Sequence, residues 1–141
     1  MKVSSRSEYA LRAVLDLARH PGTRPVQAKV IARRERIPLH YLEQILRQLS
    51  RAGLVRSVRG PGGGYFLARG KEEITVGDIV RVTSGPIQPY PCLPVGGSRQ
   101  RCAQESECPV ELVWRETGEL LAWFFDSIAI GELARGRPGD G

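Results

Sequence analysis

Three cysteines are the residues best suited to chemistry: Cys92, Cys102 and Cys108, spaced C-x9-C-x5-C in a stretch, 86–109, rich in Pro, Gly and Gln. Three thiolates from one loop can supply most of an iron–sulfur cluster, which normally takes four protein ligands. They can also bind zinc, although the close C-x2–4-C pair typical of zinc sites is absent. The third reading is three free thiols in a loop. An odd cysteine count argues against a disulfide framework, and spacing alone leaves the three readings open. Structureless loops longer than about 12–15 residues are usually functional, so something other than packing has to hold this one.

A second set lies between Ile37 and Phe66. Leu39, Leu42, Ile45, Leu46, Leu49 and Leu54 recur at steps of three and four, one stripe of a helix facing a core. The opposite face carries His40, Glu43, Gln44, Arg47, Gln48 and Arg51, groups that hydrogen-bond or pair with phosphate. Gly53 should end the helix in the left-handed conformation. Val55 to Arg59 then alternates as a strand, Gly60–Gly64 forms an exposed loop, and Tyr65-Phe66-Leu67 returns. A polar-faced helix followed by a basic two-stranded wing is the layout of a winged helix-turn-helix, whose helix fits the major groove and whose wing reaches the backbone or minor groove. Gln44 can make a bidentate contact with adenine, Glu43 can accept from cytosine N4, and His40 and Tyr41 enter the same groove. Arg6, Lys29, Arg33, Arg47 and Arg56 suit phosphate; for Arg33 and Arg47 a solvated face is the competing reading.

Other elements must position these groups. A first helix from about Arg6 to Arg19 buries Tyr9, Ala10, Ala13, Val14, Leu17 and Ala18, and Ser5 with Glu8 fits a capping box. A second, about Val26 to Arg34, buries Ala28 and Ile31. Glu35 to Pro38 is the turn, with Pro38 suited to the first position of the next helix. After the wing, Ile74 to Val82 reads as a short helix. The last element, about Val110 to Ile130, repeats Val113, Trp114, Leu120, Leu121, Phe124 and Ile128 at helical spacing, with Trp123 and Phe125 widening the stripe. A small winged domain cannot cover so broad an apolar face, so it should meet a second copy. Gly118, costly inside a helix, suits two helices crossing closely. The expected fold class is mainly α with a small β wing. A winged helix-turn-helix spans 1–83, a cysteine-bearing loop 84–109, a long dimerisation helix 110–134 and a disordered tail 135–141.

At 141 residues the chain holds one domain plus an appendage. Charge is divided unevenly. Residues 1–69 contain 14 Lys and Arg against 4 Asp and Glu, whereas residues 70–141 contain 7 against 11. A basic half suggests a polyanionic partner. No apolar run approaches the roughly 20 residues that span a bilayer, and the N-terminus lacks a secretion signal's pattern, so a cytoplasmic protein without membrane contact is expected. An enzyme is not: there is no nucleophile–base pair, no acid pair in a plausible cleft, and the glycine run lacks the Lys of a phosphate loop.

The chain as a whole, from about Met1 to Ala134, resembles the IscR and NsrR type of bacterial winged-helix regulator, which also includes CymR. The resemblance rests on Tyr41-Leu42-Glu43-Gln44, Gly53-Leu54-Val55, Val58-Arg59-Gly60-Pro61-Gly62-Gly63-Gly64-Tyr65, Val76-Gly77-Asp78, the three cysteines, Trp114 and Ile130-Gly131-Glu132-Leu133. It implies a homodimer that binds double-stranded operator DNA, with Arg59 entering the minor groove, and a [2Fe–2S] or [4Fe–4S] cluster sensing nitric oxide, redox state or iron supply. Two departures stand out. The first cysteine gap is longer than is usual in the family, and Glu111 stands where IscR-like members place a histidine ligand. The resemblance makes Glu8, donated by the partner subunit, a candidate fourth ligand, with Glu111 second; the capping box is the competing role for Glu8. His20 and His40 lie in segments with other jobs. The alternatives are a cluster-free regulator switched by thiol oxidation or a partner protein, and an interaction module whose winged domain binds protein.

Overall fold

Helical apolar stripes fold onto one another through the first 84 residues. The computed structural model describes residues 3–89 and 108–136. Six helices and one two-stranded antiparallel sheet make up these residues, a mainly α fold with a small β wing. Helix α1 (Ser5–Arg19) buries Ala10, Ala13, Val14 and Leu17 completely or nearly so. Its start corrects the sequence expectation. The cap is Ser4, which has extended backbone and accepts from the Ser7 N–H at 3.2 Å, not Ser5, which is already helical. The capping box therefore does not form, and Glu8 turns outward to Arg12 at 2.8 Å.

Helix α2 (Ala28–Glu35) begins two residues later than the apolar pattern suggests. Val26 is extended instead and exchanges hydrogen bonds of 3.0 and 2.8 Å with Tyr65, bridging the wing to the helical domain. The turn passes through Arg36, the one described non-glycine residue with positive φ (55°). Pro38 caps helix α3 (Leu39–Arg51) from outside rather than occupying its first position. Leu42, Ile45, Leu46 and Leu49 of α3 form the centre of the core with α1. Leu39, expected on that stripe, is 41% exposed, because the helix begins there, about one turn before Leu42 and past the core's edge. Gly53, at φ 77°, terminates the helix as expected.

Strands β1 (Val55–Val58) and β2 (Gly64–Leu67) pair with Val55 opposite Leu67 and Val58 opposite Gly64. Gly60 and Gly62 take positive φ at the tip, which only glycine does cheaply. Helix α4 (Val76–Ser84) starts two residues after the expected Ile74, with a capping box in which Thr75 and Asp78 satisfy each other's backbone N–H at 3.0 and 3.1 Å.

The terminal helix differs most from expectation. It divides into α5 (Glu111–Asp126) and α6 (Ile130–Ala134). Between them, Val76 N–H donates to Ile128 O at 3.0 Å and Ile130 N–H donates to Ile74 O at 2.8 Å, an antiparallel bridge that pulls Ala129 out of helical geometry. Ile130 is then fully buried and α6 lies on α1. Gly118 meets its own chain: a Cβ there would stand 3.2 Å from Pro89 Cδ. It admits the segment leaving α4, so helix–helix crossing is not what explains it. Among the described residues no helix is long and apolar enough to cross a membrane.

Candidate nucleic-acid interface

Burying one face of α3 leaves His40, Gln44 and Arg47 exposed on the other, with Glu43 half-buried beside them. Gln44 Nε2 lies 3.2 Å from His40 Nε2, and Arg47 stands 4.0 Å from Glu43. Lys29 and Arg33 are exposed on α2. Arg59 is exposed where β1 ends, next to Gly60. Arg56 stacks over Phe66, 5.1 Å from the ring centre, which restricts its direction on the wing face.

Two further sequence-selected residues, Tyr41 and Arg6, have intramolecular partners. Tyr41 is half-buried and meets Tyr9 edge to face at 5.6 Å, while the Arg6 guanidinium lies over the Tyr41 ring at 5.5 Å. Arg6 also donates to Gln48 Oε1 at 3.1 Å. Gln48 in turn donates to Val82 O at 2.7 Å, tying the recognition helix to the end of α4. Position on a polar helical face does not distinguish such a tie from a solvated glutamine.

Behind α2 sits a group that sequence reasoning passed over. Asp16 is 1% exposed, receives a hydrogen bond from Arg34 at 3.1 Å, and faces His20 Nδ1 at 3.6 Å. Its second oxygen has no partner among the described residues. Glu35 titrates above the ordinary carboxylate value, first because of burial and then because of the neighbouring Asp16. Asp16 sits on the buried face of α1, beside Leu17, and only that placement gave a signal.

The end of α4 joins the N-terminus of α1 through hydroxyls. Ser4 pairs with Ser84 at 2.6 Å, Ser7 with Thr83 at 2.7 Å, and Ser7 also with Ser84. On its other side α4 is clamped to α5 by a bidentate pair, Arg81 to Asp126, at 2.7 Å for both bonds. That hydrogen bond holds Asp126 below its ordinary range and raises Arg81.

Of the proposed ligands, Cys92 and Cys102 lie outside the described residues. Cys108 is half-buried, and its carbonyl accepts from Glu111 N–H at 3.2 Å at the start of α5. Glu8 is exposed and forms an ion pair with Arg12, and Glu111 stands 3.9 Å from Arg115. Among the described residues no three His, Cys, Asp or Glu side chains gather as a metal site. The 135–141 segment is described only at Arg135 and Gly136.

Comparison with known proteins agrees with this layout. A family model described as Rrf2, iron-dependent transcriptional regulator, matches residues 3–136. The HTH-type transcriptional regulator IscR of Klebsiella pneumoniae is 38% identical over 133 residues, spanning 94% of this chain and 79% of that protein. The structure of CymR (YrzC), the global cysteine regulator of B. subtilis, superposes with a TM-score of 0.80 at 34% identity, covering 98% of this chain and 99% of that one. IscR of T. potens superposes with a TM-score of 0.76 at 34% identity, covering 100% of this chain and 92% of that one.

Proposed function

Because this chain belongs to the Rrf2 family of transcriptional regulators, we propose that it binds operator DNA as a homodimer whose affinity is set by an iron–sulfur cluster on Cys92, Cys102 and Cys108. The family match across residues 3–136, taking in the winged domain and all three cysteines, carries this reading. Three thiols from one loop can supply most of such a cluster's ligands. Glu8 serves as fourth ligand to the partner subunit's cluster: released from a capping role, its carboxylate is held only by a surface ion pair, which is weak. When bound, the [2Fe–2S] or [4Fe–4S] cluster supplies a centre that nitric oxide, redox state or iron shortage can alter.

The protein's own residues do the rest. Cys108 fixes the entry to α5, and the apolar residues Val113, Leu120, Trp123 and Phe124 seat that helix on its copy. Arg81 and Asp126 pass the position of α5 to α4, and Gln48 passes it from α4 to α3. Ligation of the loop thus biases the spacing of two recognition helices, a two-state switch. On DNA, Glu43 and Gln44 read bases with His40 and Tyr41 at the same end of the helix, Arg59 enters the minor groove, and Arg6, Lys29, Arg33, Arg47 and Arg56 face phosphate.

Anaerobic purification followed by iron and sulfide analysis tests the sensor. Coloured wild type and colourless Cys102→Ala are expected, with duplex affinity measured by fluorescence anisotropy changing on exposure to nitric oxide or oxygen. A wild type that stays colourless after reconstitution removes the cluster and leaves a regulator switched by thiol oxidation or a partner protein. Affinity that does not fall with rising salt would instead favour an interaction module, since phosphate contacts release counterions.

A further inference from the structure

On the exposed face of α3, His40 and Gln44 stand one turn apart, with Gln44 Nε2 at 3.2 Å from His40 Nε2. An amide nitrogen only donates, so this imidazole nitrogen accepts and the ring proton sits on Nδ1. A primary amide has two N–H bonds. One lies beside the amide oxygen, and together they form the donor–acceptor edge that matches adenine N7 and N6. The other points away from that edge. An outward N–H braced on His40 would leave the reading edge free while fixing its direction. Neighbouring charges are engaged elsewhere, because Arg47 pairs with Glu43 on the same helix.

Resting on the operator-binding reading above, we propose that His40 is a positioning residue that orients Gln44 toward adenine and does not itself read a base. Gln44 would otherwise rotate freely about three side-chain bonds, and the reading edge would form only part of the time. Specificity at one operator position therefore depends on two residues rather than one.

The test selects binding duplexes from a random pool with the 141-residue chain, purified anaerobically, as wild type, Gln44→Ala, His40→Leu and His40→Gln. Wild type should enrich adenine at one position of each half-site, and Gln44→Ala should abolish that preference. His40→Leu should weaken it about 1.5- to twofold at the same position, the scale of losing one i,i+4 side-chain brace. His40→Gln, whose amide oxygen reaches about as far as Nε2 and can accept from Gln44 there, should restore it. Replacing that adenine by 7-deazaadenine, which lacks N7, should weaken binding of wild type and His40→Gln more than binding of His40→Leu. Undiminished adenine preference in His40→Leu, or a changed preference at a different position, overturns the proposal alone. Wild type that enriches duplexes without a fixed adenine does the same. Wild type that enriches no duplex overturns the regulator reading, and this proposal with it.

Discussion

Helices α3 and α5 carry similar amphipathic patterns and meet opposite fates. In α3 the stripe of Leu42, Ile45, Leu46 and Leu49 is wholly buried by the chain's own helices. In α5, Leu120 is 66% and Trp123 is 70% exposed, and Val113 and Phe124 lie open beside them. Among the described residues, the edge of α5 that carries Gly118 meets the Ile87–Pro89 segment, and Phe125 packs against the core. Burying apolar area gains roughly 25 cal/mol per Å² wherever it occurs, so the exposed stripe is a face awaiting a partner, proposed here to be a second copy. One helix holds the domain together, and the other is proposed to hold two copies together.

The contrast breaks most sharply on the assembly side. The double variant Leu120→Asp with Trp123→Asp should leave the fold intact, sediment as a single copy and lose duplex affinity by about 10²–10⁴-fold, since two linked half-site contacts become one. Sedimentation with fluorescence anisotropy measures both; a variant that remains dimeric would show that another surface makes the dimer. On the domain side, Leu46→Ala should cost about 2–5 kcal/mol in urea unfolding, without the concentration dependence that marks an assembly. At the joint between them, a Cβ on Gly77 would overlap the Asp126 carboxylate. Gly77→Ala should therefore displace the side-chain ends of Asp126 and Arg81 and break the Arg81 clamp at a cost of under about 1 kcal/mol, seen as faster proteolysis between α4 and α5.

The smallest effects are electrostatic and of opposite sign. The hydrogen bond from Arg81 depresses Asp126, so the clamp's contribution is present above the unfolded carboxylate value and is lost as pH falls through the folded one. Both side chains are about two-fifths exposed, which limits the contribution to under about 1 kcal/mol. Glu35 is raised by burial and Asp16. Ionising it therefore removes stability as pH rises from the ordinary carboxylate value through its raised one, and Glu35→Gln should stabilise neutral but not acidic solutions. Thermal melts across the acidic range distinguish the two slopes.

Much of this arrangement is legible in the residues. The stripes of α1 and α3, the stop at Gly53 and the hairpin at Gly60–Gly64 follow from helical spacing and glycine's backbone freedom. The exposed polar face of α3 follows too, because burying one side of a helix exposes the other. The partners of that face do not. Gln48 and Gln44 are the same residue type one turn apart, yet one ties α3 to Val82 and the other meets His40. Arg6 suited phosphate by charge and was found over Tyr41.

Local preference determined where helices and the wing form, since backbone sterics and apolar periodicity act within a few residues. The tertiary structure decided which serine caps α1, where the terminal helix breaks and what Gly118 faces. Each of these depends on groups far apart in the chain: Ser4 meets Ser84, Ile74 meets Ile130, and Pro89 meets Gly118. Hydrogen bonds and van der Waals contacts act over a few ångströms of space, and no spacing along the sequence specifies which distant residues will come that close.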